Sequence, residues 1–166
     1  MKTIYHIRRN LLTGFLLLLI AVSGFAAELL YTVAGNSMLP VIRPGDKVLV
    51  QTDHFLPIKR RDIVAISLKG RKHPMVKRVV AVEGDKLEIK NSCLWINDQA
   101  LDPSVSINPD QWKTTLAQLE RYDWTLPQKT VFILGDNPEN SRDSRRLGII
   151  SISQVSGKVV KIIREM

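Results

Sequence analysis

Met75-Val76-Lys77-Arg78-Val79-Val80-Ala81-Val82-Glu83-Gly84-Asp85 is the stretch that decides the fold. Residues 75–82 are apolar apart from two adjacent cations, rich in β-branched valine, and bounded by a turn-forming Gly-Asp pair, which together read as a strand. In a strand, successive side chains point to opposite faces. Lys77 then shares a face with Met75, Val79 and Ala81, and Arg78 shares the other with Val76, Val80 and Val82. Whichever face meets the core takes a cation with it. That cation either reaches solvent along its stem or is desolvated, and the two candidates then differ in kind. Arginine stays charged, whereas burial drives lysine from a reference value near 10.4 toward about 7, where the neutral amine is a usable general base.

The same texture continues on both sides. Lys47–Gln51, Asp62–Leu68, Lys86–Lys90, Cys93–Ile96, Thr130–Leu134 and Gly157–Ile163 are short Val/Ile/Leu runs. They are separated by turn formers at Pro44-Gly45-Asp46, Gly84-Asp85, Asn97-Asp98 and Gly135-Asp136-Asn137. A mostly β fold follows, an antiparallel sheet or barrel-like arrangement. Leu87–Lys90 and Cys93–Ile96 around Asn91-Ser92 form a predicted hairpin. Residues 99–128 fit poorly: they contain Pro103, Pro109 and Pro127 and one helical stretch around Trp112–Tyr122, and read as an insertion or flap.

The amino-terminus has another character. Asn10 to Ala27 carries no charge and is dominated by Leu, Ile, Phe and Val. As a helix this run spans roughly 27 Å, near the thickness of a bilayer core. Lys2, Arg8 and Arg9 precede it and Glu28 follows, which places the basic flank in the cytoplasm and the rest outside. Residues 1–28 therefore read as a membrane anchor and residues 29–166 as an extracytoplasmic β-rich domain. A cleavable export signal has the same order of basic, apolar and small residues, and stands as the alternative.

Composition bounds the rest. With 166 residues there is room for one domain and a short appendage, and 45% hydrophobic against 24% charged residues excludes a mainly disordered chain. The single Cys93 excludes an internal disulfide, a zinc finger or a CxxC redox pair, and His6, His54 and His73 show no ligand spacing. No metal or other cofactor is expected. A net charge of +8 attracts nucleic acid and anionic lipid alike and selects neither. Lys59-Arg60-Arg61 reads as a solvated turn, with contact to lipid headgroups as the alternative.

Two segments besides the strand bear on chemistry. Gly35-Asn36-Ser37-Met38-Leu39-Pro40 sets a serine in a tight Gly- and Pro-bounded loop, where a hydroxyl and backbone N–H groups can be exposed together. Neither segment holds a histidine, so a Ser-His-Asp triad lacks its base, and serine with a lysine base is the known substitute. The second is the loop Gly135-Asp136-Asn137-Pro138-Glu139-Asn140-Ser141-Arg142-Asp143-Ser144-Arg145-Arg146-Leu147-Gly148, dense in hydroxyls and alternating charge.

Ser37-Met38-x-Pro40, Gly45-Asp46-x-Val48, Lys77-Arg78-Val79-Val80-Ala81-x-x-Gly84-Asp85 and the 135–148 loop, in that order and spacing, resemble the bacterial type I signal peptidases. The resemblance covers roughly residues 35–48, 77–85 and 135–148. It implies a serine endopeptidase that removes signal peptides from exported preproteins at the outer face of the cytoplasmic membrane. It also implies Ser37 as nucleophile, Lys77 as general base, Ser141 as a hydroxyl orienting the lysine amine, and Asp143 with Arg145 as a supporting ion pair. The Ser37 N–H would be one oxyanion donor. Many members add a serine hydroxyl two positions before the nucleophile, where this chain has Gly35, and threonine often follows the proline, where it has Val41. Small residues at the first and third positions before the cut are the family's specificity. Met38 and Pro40 are the candidate pocket residues here. Preproteins and membrane lipid are the implied partners, with no nucleic acid. A dedicated maturation or conjugation-associated protease is an alternative within the same chemistry. A non-catalytic membrane-anchored β binding module is the rival from another class, while self-cleaving repressors of the same chemistry are disfavoured by the anchor and the lack of DNA-binding helices.

Overall fold

The computed structural model describes residues 27–52, 57–91, 93–101 and 109–164, with side chains from 112 onward in the last segment. The expected anchor lies outside them but for Ala27 and Glu28. Among the described residues no helix is long and apolar enough to cross a membrane.

Among the described residues, ten strands are all antiparallel to their neighbours: β1 (Glu28–Thr32), β2 (Lys47–Gln51), β3 (Ile63–Ile66), β4 (Met75–Val82), β5 (Leu87–Lys90), β6 (Cys93–Ile96), β7 (Gln99–Ala100), β8 (Thr130–Leu134), β9 (Ile150–Ser151) and β10 (Val155–Ile163). Seven form one sheet in the order β1-β2-β10-β3-β4-β8-β9, and β5-β6-β7 form a second. The large sheet runs between two edges, β1 and β9, so it is open. The barrel-like expectation gives way to two open sheets.

Strand β4 lies inside the large sheet, between β3 and β8. Its burial alternates strictly, with Met75, Lys77, Val79 and Ala81 inward and the intervening side chains half-buried. The sheet therefore takes the lysine face. Val79 and Ala81 are fully buried, and burial of the valine side chain alone contributes on the order of 2 kcal/mol, which holds the strand in the register that carries Lys77 inward. A register shift between Val79 and Ala81 against β8 bends the strand there. It ends at Gly84, whose φ of +79° suits glycine, and Asp85 closes the turn by accepting from Val82 N at 2.8 Å.

Three hydrophobic clusters surround this frame. The 99–128 segment contributes α1 (Pro109–Arg121), whose Trp112 and Leu119 are buried in the cluster between the two sheets, Trp112 stacking on Phe132 with ring centroids 5.9 Å apart. A short helix, α2 (Ser144–Leu147), follows the 135–143 loop. Thr115 of α1 donates its hydroxyl to the Ser144 carbonyl, which locks α1 onto that loop.

Candidate active site

The chain leaves β1 at Thr32, runs extended past Gly35, and turns at Ser37. Leu39 N donates to Asn36 O at 3.2 Å and Ile42 N to Met38 O at 2.8 Å, closing two tight turns around the serine. Met38 is buried with Ile42, Val48, Val50 and Ala65, so the residue after Ser37 is anchored in the core while Ser37 faces a cavity.

Across the cavity Lys77 is 4% exposed. Its Nζ donates to Ser37 Oγ at 2.7 Å and to Val76 O at 2.9 Å. Burial on the inner face of β4 disfavours the ammonium form and pulls Lys77 down to about 8. The Asp143 carboxylate opposes the shift, the Arg71 guanidinium adds to it, and Asp136 opposes it more weakly. An amine titrating at 8 is neutral in about a tenth of molecules at pH 7, some three-hundred-fold more than an unperturbed lysine. When deprotonated, the same nitrogen presents its lone pair to the serine O–H.

The 135–148 loop supports both residues. Asn137 N donates to Ser37 O at 3.0 Å, and Asn137 Nδ2 to Asn36 O at 3.1 Å, so the Ser37 turn hangs on the end of β8. Asp136 takes a two-pronged grip from Arg78, Nε and Nη2 each at 2.6 Å, which ties the loop to the residue after Lys77. Asp143 is fully buried and paired with Arg145 through Nε and Nη2, both at 2.9 Å. It also accepts from Gly135 N at 3.0 Å and from Arg145 N at 3.2 Å, capping α2, while Arg145 Nη2 reaches Pro138 O at 2.7 Å. A buried pair of this kind survives only when its spare hydrogen-bonding capacity is filled, as it is here.

Ser141 behaves differently from the expectation. Its hydroxyl is buried beside Gly135 and the Ser37 carbonyl, and it makes no hydrogen bond, to Lys77 or otherwise. Gly135 has no room for a side chain: an added Cβ would collide with Ser141 and with Ser37 O. Gly35, by contrast, has nothing within 4 Å of such a Cβ, so the missing family hydroxyl leaves open space at the cavity wall. Among the described residues, the Ser37 N–H has no hydrogen-bond acceptor, which leaves it available to an oxyanion.

The cavity measures about 700 Å³. One wall is the extended chain from Leu30 to Gly35, the other runs from His73 to Val76, and Ser37, Met38 and Lys77 form its end, with Arg71 and Arg142 also lining it. Met38 is among the residues that line the cavity. Pro40 is not; it is exposed, follows a cis peptide bond, and points away from the lining. Asn137, Asp136, Arg78 and Ser144, whose Oγ accepts from Ile133 N at 3.0 Å, are the supporting residues that sequence reasoning left unassigned.

The profile of the family described as signal peptidase, peptidase S26 matches residues 6–163. A signal peptidase I of Bacillus caldolyticus is 34% identical, the match covering 78% of this chain and 75% of that one. A signal peptidase IB of Staphylococcus aureus is 32% identical over 78% of this chain and 74% of its own. Among solved structures, a signal peptidase I from Enterococcus faecalis shares 23% identity over 63% of this chain and 98% of that one, with a TM-score of 0.45. Matched from residue 6 to residue 163, and a third identical to signal peptidases over most of their length, the chain belongs to the signal peptidase family of serine endopeptidases.

Proposed function

We propose that the chain removes signal peptides from exported preproteins by acyl-enzyme chemistry, with Ser37 as nucleophile and Lys77 as general base. The observation that carries this reading is the 2.7 Å separation of Lys77 Nζ and Ser37 Oγ on a buried strand face. The neutral amine takes the Ser37 proton as Oγ attacks the scissile carbonyl carbon. The oxyanion so formed faces the Ser37 N–H. Collapse breaks the C–N bond, the leaving amine takes the proton back from Lys77, and the signal peptide remains as an ester on Ser37. Water, deprotonated by Lys77, then hydrolyses that ester and restores both residues. Asp143 and Arg145 act as the loop's clamp, and Ser141 packs its hydroxyl beside Gly135 and the Ser37 carbonyl.

The site suits an extended peptide. Leu30–Gly35 and His73–Val76 line it together with Met38 and Met75, a largely apolar lining beside Ser37 that suits the small residues the family prefers next to the cut. Residues 1–28 hold the enzyme in the cytoplasmic membrane with the amino-terminus inside, and residues 29–166 work on preproteins emerging at the outer face. The test is cleavage of a preprotein by the full chain in detergent, beside Ser37→Ala and Lys77→Ala. Both variants should lose cleavage by at least about 10³-fold. Wild-type cleavage by Lys77→Ala would remove the assigned base.

A further inference from the structure

The cavity beside Ser37 is charged in one sense. Arg71, His73, Lys77 and Arg142 line it, and no aspartate or glutamate does among the described residues. Arg71 belongs to the turn between β3 and β4, and Arg142 follows Ser141 in the supporting loop, so the two guanidiniums reach the cavity from separate elements. Both side chains are exposed, and among the described residues neither has an ion pair or side-chain hydrogen bond. Arg60, Arg78, Arg145 and Arg164 each face a carboxylate, and of the described arginines without one, Arg71 and Arg142 are the two that line the cavity. Arg71 is near enough to the reacting centre to disfavour the ammonium form of Lys77. The protein thus leaves two guanidiniums unneutralised where a bound peptide must pass.

We propose that this cavity selects substrates by charge: a peptide with an aspartate or glutamate at the second position before the cut or within about three residues after it, roughly 10 Å of extended chain, is bound through Arg71 and Arg142. A peptide with lysine or arginine there is rejected. The proposal rests on the peptidase reading above and adds to it a substrate class. The guanidinium fork accepts both oxygens of a carboxylate, and attraction between partly exposed charges is worth up to about fivefold per pair at low salt. The carboxylate improves binding and also favours the ammonium form of Lys77. The preference therefore appears in KM, and the pH profile for an acidic peptide moves to higher pH.

The test uses the full chain in detergent and a set of peptides identical except for Asp, Asn or Lys at one position, scanned over the second position before the cut and the three positions after it. At about 0.02 M salt, kcat/KM for Asp over Asn should be about tenfold at one or more positions, carried by KM, and should fall toward one at about 0.5 M salt. The ratio should drop to about one in Arg71→Gln/Arg142→Gln, and Arg71→Glu/Arg142→Glu should invert the order in favour of Lys. A ratio near one at every position, or a ratio that neither double variant moves, overturns the proposal. Equal and efficient cleavage of all peptides would do so while leaving the peptidase reading intact. Cleavage of none of them by the wild-type chain would overturn the peptidase reading and charge selection with it.

Discussion

Replacing Lys77 with methionine should stabilise the protein at neutral pH while abolishing cleavage. The amine titrates at about 8 in the fold and at 10.5 in its ordinary state, a gap worth about 3 kcal/mol at pH 7. Below pH 8 both folded and unfolded chains carry the proton, so the cost of burying the charge is fully present. Between about 8 and 10.5 the folded amine is neutral while the unfolded one still binds a proton, and the wild type gains stability as pH rises. Above 10.5 both are neutral and the cost is gone. Methionine has a similar length and no charge, but gives up the bonds to Ser37 Oγ and Val76 O, about 1 kcal/mol together. The Met variant should therefore be more stable by about 2 kcal/mol at pH 7. That advantage should disappear by about pH 10, because only the wild type has the slope. Urea unfolding of the full chain in detergent, followed by tryptophan fluorescence with Trp112 as the buried reporter, measures the difference at both pH values. A difference independent of pH, or a Met variant clearly less stable at pH 7, would refute the burial of a costly ammonium.

Other expectations follow from the same geometry. For an uncharged peptide, kcat/KM should rise about tenfold per pH unit below 8 and level off above it, as Lys77 becomes neutral; a flat profile from about pH 6 to 9 would exclude the base. Gly135→Ala should cost about 1–3 kcal/mol in stability and at least about 10²-fold in kcat, since its Cβ meets Ser141 and the Ser37 carbonyl; wild-type kinetics would show that the loop does not position the serine. Asp143→Asn should cost about 3 kcal/mol, because Arg145 stays buried without its counter-charge. The same change should move the acidic limb of the pH profile to lower pH, since Asp143 favours the Lys77 ammonium; an unmoved limb would show that the Asp143 field does not reach the base.

The β texture was legible because short valine-rich runs between Gly-Asp turns have few other ways to fold. Met75–Val82, Lys47–Gln51, Cys93–Ile96 and Thr130–Leu134 have the ends that composition suggests. What period-two alternation cannot supply is a sign: Lys77 and Arg78 are equivalent until the sheet chooses a face, and that choice belongs to β3, β8 and the core behind them. Strand β1 escaped notice because Glu28–Thr32 is a mostly exposed edge strand directly after an apolar run. The serine and the lysine stood out as side-chain chemistry in unusual settings. Asn137 did not, because its work is a backbone N–H on a carbonyl 100 residues away in sequence, a contact that no local pattern encodes. Ser141 was identified by resemblance alone, and its hydroxyl lies unbonded where the resemblance implied a bond to the amine.

The site contains an electrostatic conflict, and its resolution explains which residues surround it. The proposed base, Lys77, must be neutral to act, yet it sits near Asp143, whose negative charge favours the protonated form. A loop that must hold Ser37 and Lys77 in register nevertheless needs a strong acceptor at Asp143, because Gly135 N, the start of α2 and Arg145 all converge there. Burial on the face shared with Met75, Val79 and Ala81 is the larger influence and brings the amine down despite the carboxylate. Asp143 and Asp136 are each matched by an arginine, so each clamp carries little net charge toward the amine. The unmatched charges that line the cavity are cations, which act in the same direction as burial. A sheet face that desolvates one lysine, and a loop whose Asp136 and Asp143 are both paired, together suit that amine to the role proposed for it in a protein of strongly positive charge.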